Sequence, residues 1–290
     1  MTTRRDLLIS AIARLEGAGV EDARRNAEWM LEEAVGLTRL ALLAHPNAAV
    51  APDDADAFEA MVERRLRREP LQYIVGHADF FGLRVHVSPA VLIPRPETEE
   101  LVEQALLLLE GRDTPWVLDV GTGSGAIALA IKHHRPDAEV FACDLSAEAL
   151  AVAAENADHL GLAITLIHAD ALEPAFASGV PPSFDLVVSN PPYVPEADMR
   201  EMQPEVRDYE PHLALFPGDD HLRFYRAIAG HADRLLKPSG FVLFETHAEF
   251  AGDVAALLTG AGYSATTRLT DLSGRDRMVR AARPGIPPAQ

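Results

Sequence analysis

From about residue 97 the sequence alternates short apolar runs with segments of helix length, and this alternation restricts the fold more than any other feature. Strand-like runs fall at 116–120, 140–143, 164–167, 184–188 and 241–244, with two more near 265–269 and 277–281. Helical segments occupy 99–109, 126–133, 147–160, 222–236 and 253–259. Strands separated by helices build a parallel sheet through right-handed crossovers. The pattern predicts an α/β fold with a doubly wound, mostly parallel seven-stranded sheet.

The first part of the chain lacks that alternation. Residues 1–72 predict a small all-helical bundle. Thr3 or Thr2 caps a first helix, Thr38 caps a short third one, and Phe58, Met61, Val62 and Leu66 form the apolar face of a fourth. Residues 73–96 predict a β-hairpin linker, with one strand over Phe80–Val87, a turn at Ser88-Pro89 and a second strand at Val91–Ile93. The α/β domain is expected over 97–283, and the Pro- and Gly-rich tail, 284–290, is expected to be disordered.

A net charge of −18 repels phosphate backbones, so the sequence predicts no direct nucleic-acid binding. One cysteine, Cys143, excludes an internal disulfide and a multi-cysteine zinc site, and no metal is expected. No apolar run approaches the ~18 residues of a membrane span. Arg4-Arg5 resembles an export signal only superficially, because Arg14 and Glu16 interrupt the apolar stretch that follows. A cytoplasmic location is expected.

Asp119-Val120-Gly121-Thr122-Gly123-Ser124-Gly125 lies between a predicted strand and a predicted helix. Glycines there permit a tight turn and let a ligand rest on bare main chain, beside the positive N-terminus of the helix. Asp144, at the end of the next strand, can accept both hydroxyls of a ribose. This pair signals nucleoside binding but leaves nicotinamide and S-adenosylmethionine enzymes both open.

Ser189-Asn190-Pro191-Pro192-Tyr193 separates them. It follows an apolar strand that a doubly wound sheet places beside the glycine-loop strand, so both loops open into one crevice. The Asn190 side-chain oxygen and the Pro191 carbonyl offer two acceptors to a planar NH₂ group, and Tyr193 offers an aromatic wall. Two acceptors fix the hydrogens and aim the nitrogen lone pair at an electrophilic methyl. Hydride transfer would want a proton relay, and His168 and His247 read as ordinary polar residues near strand ends.

These motifs resemble the class I S-adenosylmethionine-dependent amino-methyltransferases. Within them the chain is similar to the peptide chain release factor glutamine methyltransferases. Further matches are Pro70-Leu71-Gln72-Tyr73-Ile74-Val75-Gly76, Phe80-Phe81-Gly82-Leu83, Leu92-Ile93-Pro94-Arg95-Pro96-Glu97-Thr98-Glu99 and Tyr209-Glu210-Pro211. The resemblance implies transfer of methyl from S-adenosyl-L-methionine, with S-adenosyl-L-homocysteine as product, to the amide N5 of the glutamine in the Gly-Gly-Gln loop of release factors. It implies that Gly121, Thr122, Gly123, Ser124 and Gly125 hold the methionyl part, Asp144 the ribose, and Ala171 borders the adenine. Asn190 would touch cofactor and glutamine alike, with Pro191, Pro192 and Tyr193 completing the amide pocket. Arg95 and Glu97 would sit at its mouth, and the helical domain would dock the release factor. Two departures stand out. Pro217 and His221 occupy positions where the family carries glycine, and Ala171 lacks the bulky aromatic found beside the adenine. The alternatives are a ribosomal-protein glutamine methyltransferase and a methyltransferase for exocyclic amines of nucleic acids (adenine N6 or guanine N2).

Overall fold

The computed structural model describes residues 2–283, so the tail expectation for 284–290 lies outside the described residues. Five helices come first: α1 (Arg4–Gly17), α2 (Ala23–Val35), α3 (Arg39–Ala44), α4 (Pro52–Leu66) and α5 (Leu71–Val75). The hairpin strands β1 (His77–Phe80) and β2 (Leu83–His86) follow. Then the alternation begins: α6 (Pro96–Leu108), β3 (Trp116–Val120), α7 (Ala126–His134), β4 (Glu139–Asp144), α8 (Ala147–Leu160), β5 (Thr165–His168) and β6 (Phe184–Ser189). Two short helices, α9 (Pro204–Tyr209) and α10 (His212–Leu215), precede α11 (Arg223–Leu235), β7 (Leu236–Glu245), α12 (Ala251–Gly260), β8 (Ser264–Thr270) and β9 (Asp276–Ala282). No helix among the described residues is long and apolar enough to cross a membrane.

The chain forms two compact units. The first comprises the residues up to His77 together with Gln203–Tyr209, so α9 joins the N-terminal helices. Thr3 caps α1 through a full capping box with Asp6, and the Thr38 side chain caps α3. Leu15, Ala27, Met30, Leu31, Phe58 and Val62 form its apolar centre. A buried polar cluster sits beside them. Arg65 of α4 donates from Nη2 to Glu205 of α9 at 2.8 Å and from Nε to Asn26 of α2 at 2.7 Å. Arg68 grips both oxygens of Glu205 at 2.8 Å.

The second unit comprises Ala78–Met202 and the residues from Glu210 on, and it includes most of the hairpin. Its seven strands run in the order β5-β4-β3-β6-β7-β9-β8. The pairs from β5 through β7 are parallel, while β9 runs antiparallel to β7 and β8 antiparallel to β9. This is the mostly parallel, doubly wound seven-stranded sheet that the sequence pattern predicts. β6 is buried along its whole length and β3 nearly so, because helices cover both faces. The chain leaves β3 toward β4 and β5, then returns to β6 on the other side of β3. The switch point therefore lies between the ends of β3 and β6.

The hairpin differs from its expected form. Phe81 and Gly82 both adopt positive φ, 47° and 79°, which makes a tight two-residue turn and places both strands within 77–86. Val91–Ile93 is therefore not a second strand. Val91 and Ile93 are buried, and the Ile93 amide donates to the Glu210 carboxylate at 3.2 Å in place of a strand partner.

Candidate active site

The glycine loop takes its shape from three positive φ angles: 75° at Gly121, 56° at Gly123 and 81° at Gly125. A Cβ at Gly121 or Gly123 would project into open space, so bare main chain borders the cavity there. Gly125 has a different reason. A Cβ on it would come within 3.2 Å of Ala153 and Leu129, so its absence lets α7 pack against α8. Thr122 donates its hydroxyl to Asp119 at 2.6 Å, and the Ser124 carbonyl accepts from Asn156 at 2.8 Å. Thr122, Ser124 and Gly125 thus build the loop rather than line the cavity.

That cavity, about 490 Å³, lies within the second unit. Gly121, Gly123, Asp144, Ala171, Asn190, Pro191 and Pro192 all line it. The Asp144 carboxylate accepts from the Gly123 amide at 2.8 Å and the Ser146 amide at 2.9 Å. Burial raises its pKa, and the backbone amides of Ser146 and Gly123 oppose the shift. Ser189 stands opposite Val120 in the β3–β6 register and donates its hydroxyl to the Val120 carbonyl at 2.6 Å. The next residues, Gly121 and Asn190, consequently enter the same crevice from adjacent strands.

Three expected site residues stand elsewhere. Tyr193 packs against the core of the unit and donates its hydroxyl to Glu245 at 3.0 Å, so it is not a wall of the cavity. Arg95 binds the buried Glu210 at 2.6 Å. Glu97 is exposed in the first turn of α6, and neither it nor Arg95 lines the cavity. His168 faces the Leu145 carbonyl at 2.7 Å and His247 accepts the Glu249 amide, both ordinary local roles.

Other residues were not singled out from the sequence. The Asn190 amide nitrogen donates to the Thr98 hydroxyl at 3.2 Å, and that hydroxyl donates to the other oxygen of Glu245 at 2.7 Å. Thr98 lies in the Pro-Glu-Thr-Glu segment, whose charged residues are the more conspicuous signal. Glu245 ends strand β7, and a carboxylate at the carboxyl end of a parallel strand is a readable signal. Phe216 and Phe224 line the cavity that Ala171 borders, so aromatic surface is present although position 171 lacks it. His221 is absent from the positive-φ residues and packs on Phe250 at 4.3 Å between ring centres, so its position does not require glycine.

Asp119 is fully buried beneath the loop, and its Oδ1 has no hydrogen-bond partner. Burial pushes its pKa up to about 7, against the Thr122 hydrogen bond. Between pH 4 and 7 the folded state keeps a proton that the unfolded chain has released. Stability from this group therefore falls as pH rises through that window and is flat above it. Asp119→Asn should stabilise the ligand-free protein at pH 8 by on the order of 2 kcal/mol, and the gain should shrink toward pH 4. Urea unfolding of both proteins at several pH values checks this. A difference independent of pH would contradict the assignment.

Comparisons with known proteins place the chain in a family. Residues 6–76 match the PrmC N-terminal domain model, and 117–209 match a methyltransferase domain model. A release factor glutamine methyltransferase of Deinococcus radiodurans is 44% identical over 97% of this chain and 99% of its own length. This chain belongs to the release factor glutamine methyltransferase family. A family member from Cereibacter sphaeroides is also 44% identical, over 96% of this chain and 98% of its own. A methyltransferase from Pyrococcus furiosus has a TM-score of 0.51 at 17% identity, covering 71% of this chain and 91% of that one, which shows the shared fold. Family membership makes the chain a methyltransferase.

Proposed function

We propose that this methyltransferase transfers the methyl group of S-adenosylmethionine to the side-chain amide N5 of the glutamine in the Gly-Gly-Gln loop of peptide chain release factors. The observation that carries the reading is the meeting of Gly121, Asp144 and Asn190 in one cavity at the switch point. The residues suit the donor: glycines leave room beside the main chain, and Asp144 keeps lone pairs for ribose hydroxyls. When bound, the donor supplies an electrophilic methyl on a sulfonium. The Asn190 oxygen and the Pro191 carbonyl accept the two amide hydrogens and aim the nitrogen. No strong base is required: the acceptors would stabilise positive charge as it develops on nitrogen, the sulfonium would leave as a neutral thioether, and the surplus proton on the methylated amide would be lost to water.

The helical unit docks the release factor in this reading, and the enzyme works in the cytoplasm where translation ends. The net charge of −18 suits a protein substrate better than a nucleic acid. Incubation with labelled donor and separate release-factor, ribosomal-protein and RNA substrates tests it. Label in the Gly-Gly-Gln peptide is expected, and label confined to RNA or ribosomal protein overturns the substrate. Asp144→Ala should weaken donor binding by about 1.5–3 kcal/mol for each charged hydrogen bond lost. An unchanged affinity in calorimetry would remove Asp144 from the ribose site.

A further inference from the structure

We propose that Thr98 is a positioning residue for methyl transfer, fixing which end of the Asn190 amide faces the cavity. The inference rests on the functional reading above and concerns how its key side chain is aimed. A hydroxyl has one proton, and that of Thr98 points to Glu245 at 2.7 Å. What Thr98 turns toward Asn190 is therefore a lone pair, and only the NH₂ end of an amide can meet it. The observed 3.2 Å contact from Asn190 Nδ2 is that pairing. It leaves the Asn190 oxygen for the cavity. The flipped amide would set oxygen against oxygen at Thr98 and present a donor to a substrate NH₂ that needs acceptors.

Glu245 makes this arrangement rigid. It is 1% exposed, and its two oxygens take the hydroxyls of Thr98 and Tyr193. Its own carbonyl accepts from Tyr225 at 3.0 Å. Tyr193 thus acts from behind the site by holding the carboxylate that orients Thr98.

The test compares Thr98→Val, which keeps the shape and removes the hydroxyl, with Thr98→Ser, which keeps the hydroxyl. At saturating release factor and donor, Thr98→Val should lower kcat by about 10–100-fold, as loss of aim does when binding is intact. Affinity for S-adenosylhomocysteine should hold, and Thr98→Ser should restore most of the rate. A second readout needs no substrate. The chain has four asparagines, so ¹⁵N-asparagine labelling yields four side-chain NH₂ pairs, and the pair missing in Asn190→Ala is that of residue 190. This pair should shift in Thr98→Val and return in Thr98→Ser. Glu245→Gln should move it too, and carries the test should Thr98→Val not fold. An unshifted pair, an undiminished kcat in Thr98→Val, or an equal loss in Thr98→Ser overturns the inference. A wild type inactive on release factors overturns the proposed substrate instead, and the resonance still decides the role of Thr98.

Discussion

Asn190→Ala should lower kcat on a release factor by about 10²–10³-fold, the usual cost of removing one preorganised group that stabilises charge in a transition state. The amide nitrogen of glutamine is a poor nucleophile because its lone pair is delocalised into the carbonyl. Aim and charge stabilisation have to come from the pocket. With Asn190 truncated, the Pro191 carbonyl holds one hydrogen and the NH₂ group can pivot. Donor binding should change little, because Asp144, Gly121 and Gly123 are untouched. The measurement pairs kcat from labelled methyl transfer with calorimetry of S-adenosylhomocysteine. Turnover within tenfold of wild type would remove Asn190 from its assigned role.

The second large effect concerns stability. Glu205→Ala should destabilise the helical unit by about 3–5 kcal/mol, because it leaves a buried cation without its counter-charge. The Arg65 side chain is only 7% exposed, so water cannot replace the lost carboxylate. Burial alone would raise the Glu205 pKa, but the hydrogen bonds from Arg68 and Arg65 outweigh it and hold the carboxyl below its usual 4.5. Its contribution is therefore present above pH 4.5 and lost as pH falls through that value toward the folded pKa. Trp29 reports on this unit, and a Trp116→Phe background removes the chain's other tryptophan. Urea unfolding followed at Trp29 gives the number. The half-exposed Arg14–Glu59 pair is the control, since Glu59→Ala should cost less than about 1 kcal/mol. Equal losses for the two variants would show that the Glu205 cluster is as well solvated as the surface pair.

Much of the fold could be read from local pattern. β3 and β6 are covered on both faces, so they appear in sequence as unbroken apolar runs. Thr3 and Thr38 mark helix starts through their own side-chain hydrogen bonds. Short elements were less legible. α5, α9 and α10 hold only four to six residues, too few to show a helical period. Val91–Ile93 has strand composition, but the turn closes earlier, at Phe81-Gly82, and among the described residues the segment belongs to neither sheet.

The sequence by itself determined the sheet, the glycine cradle, Asp144 and the Asn190 loop, because each depends on residues within one strand and its following turn. Tertiary structure alone decided the partners. Arg95 meets Glu210 and Arg65 meets Glu205 across 115 and 140 positions, and Asn190 reaches Glu245 through Thr98, 92 positions before it. A hydrogen bond depends on distance and direction in space, and neither is encoded in the spacing of two residues along a chain until the intervening elements have packed.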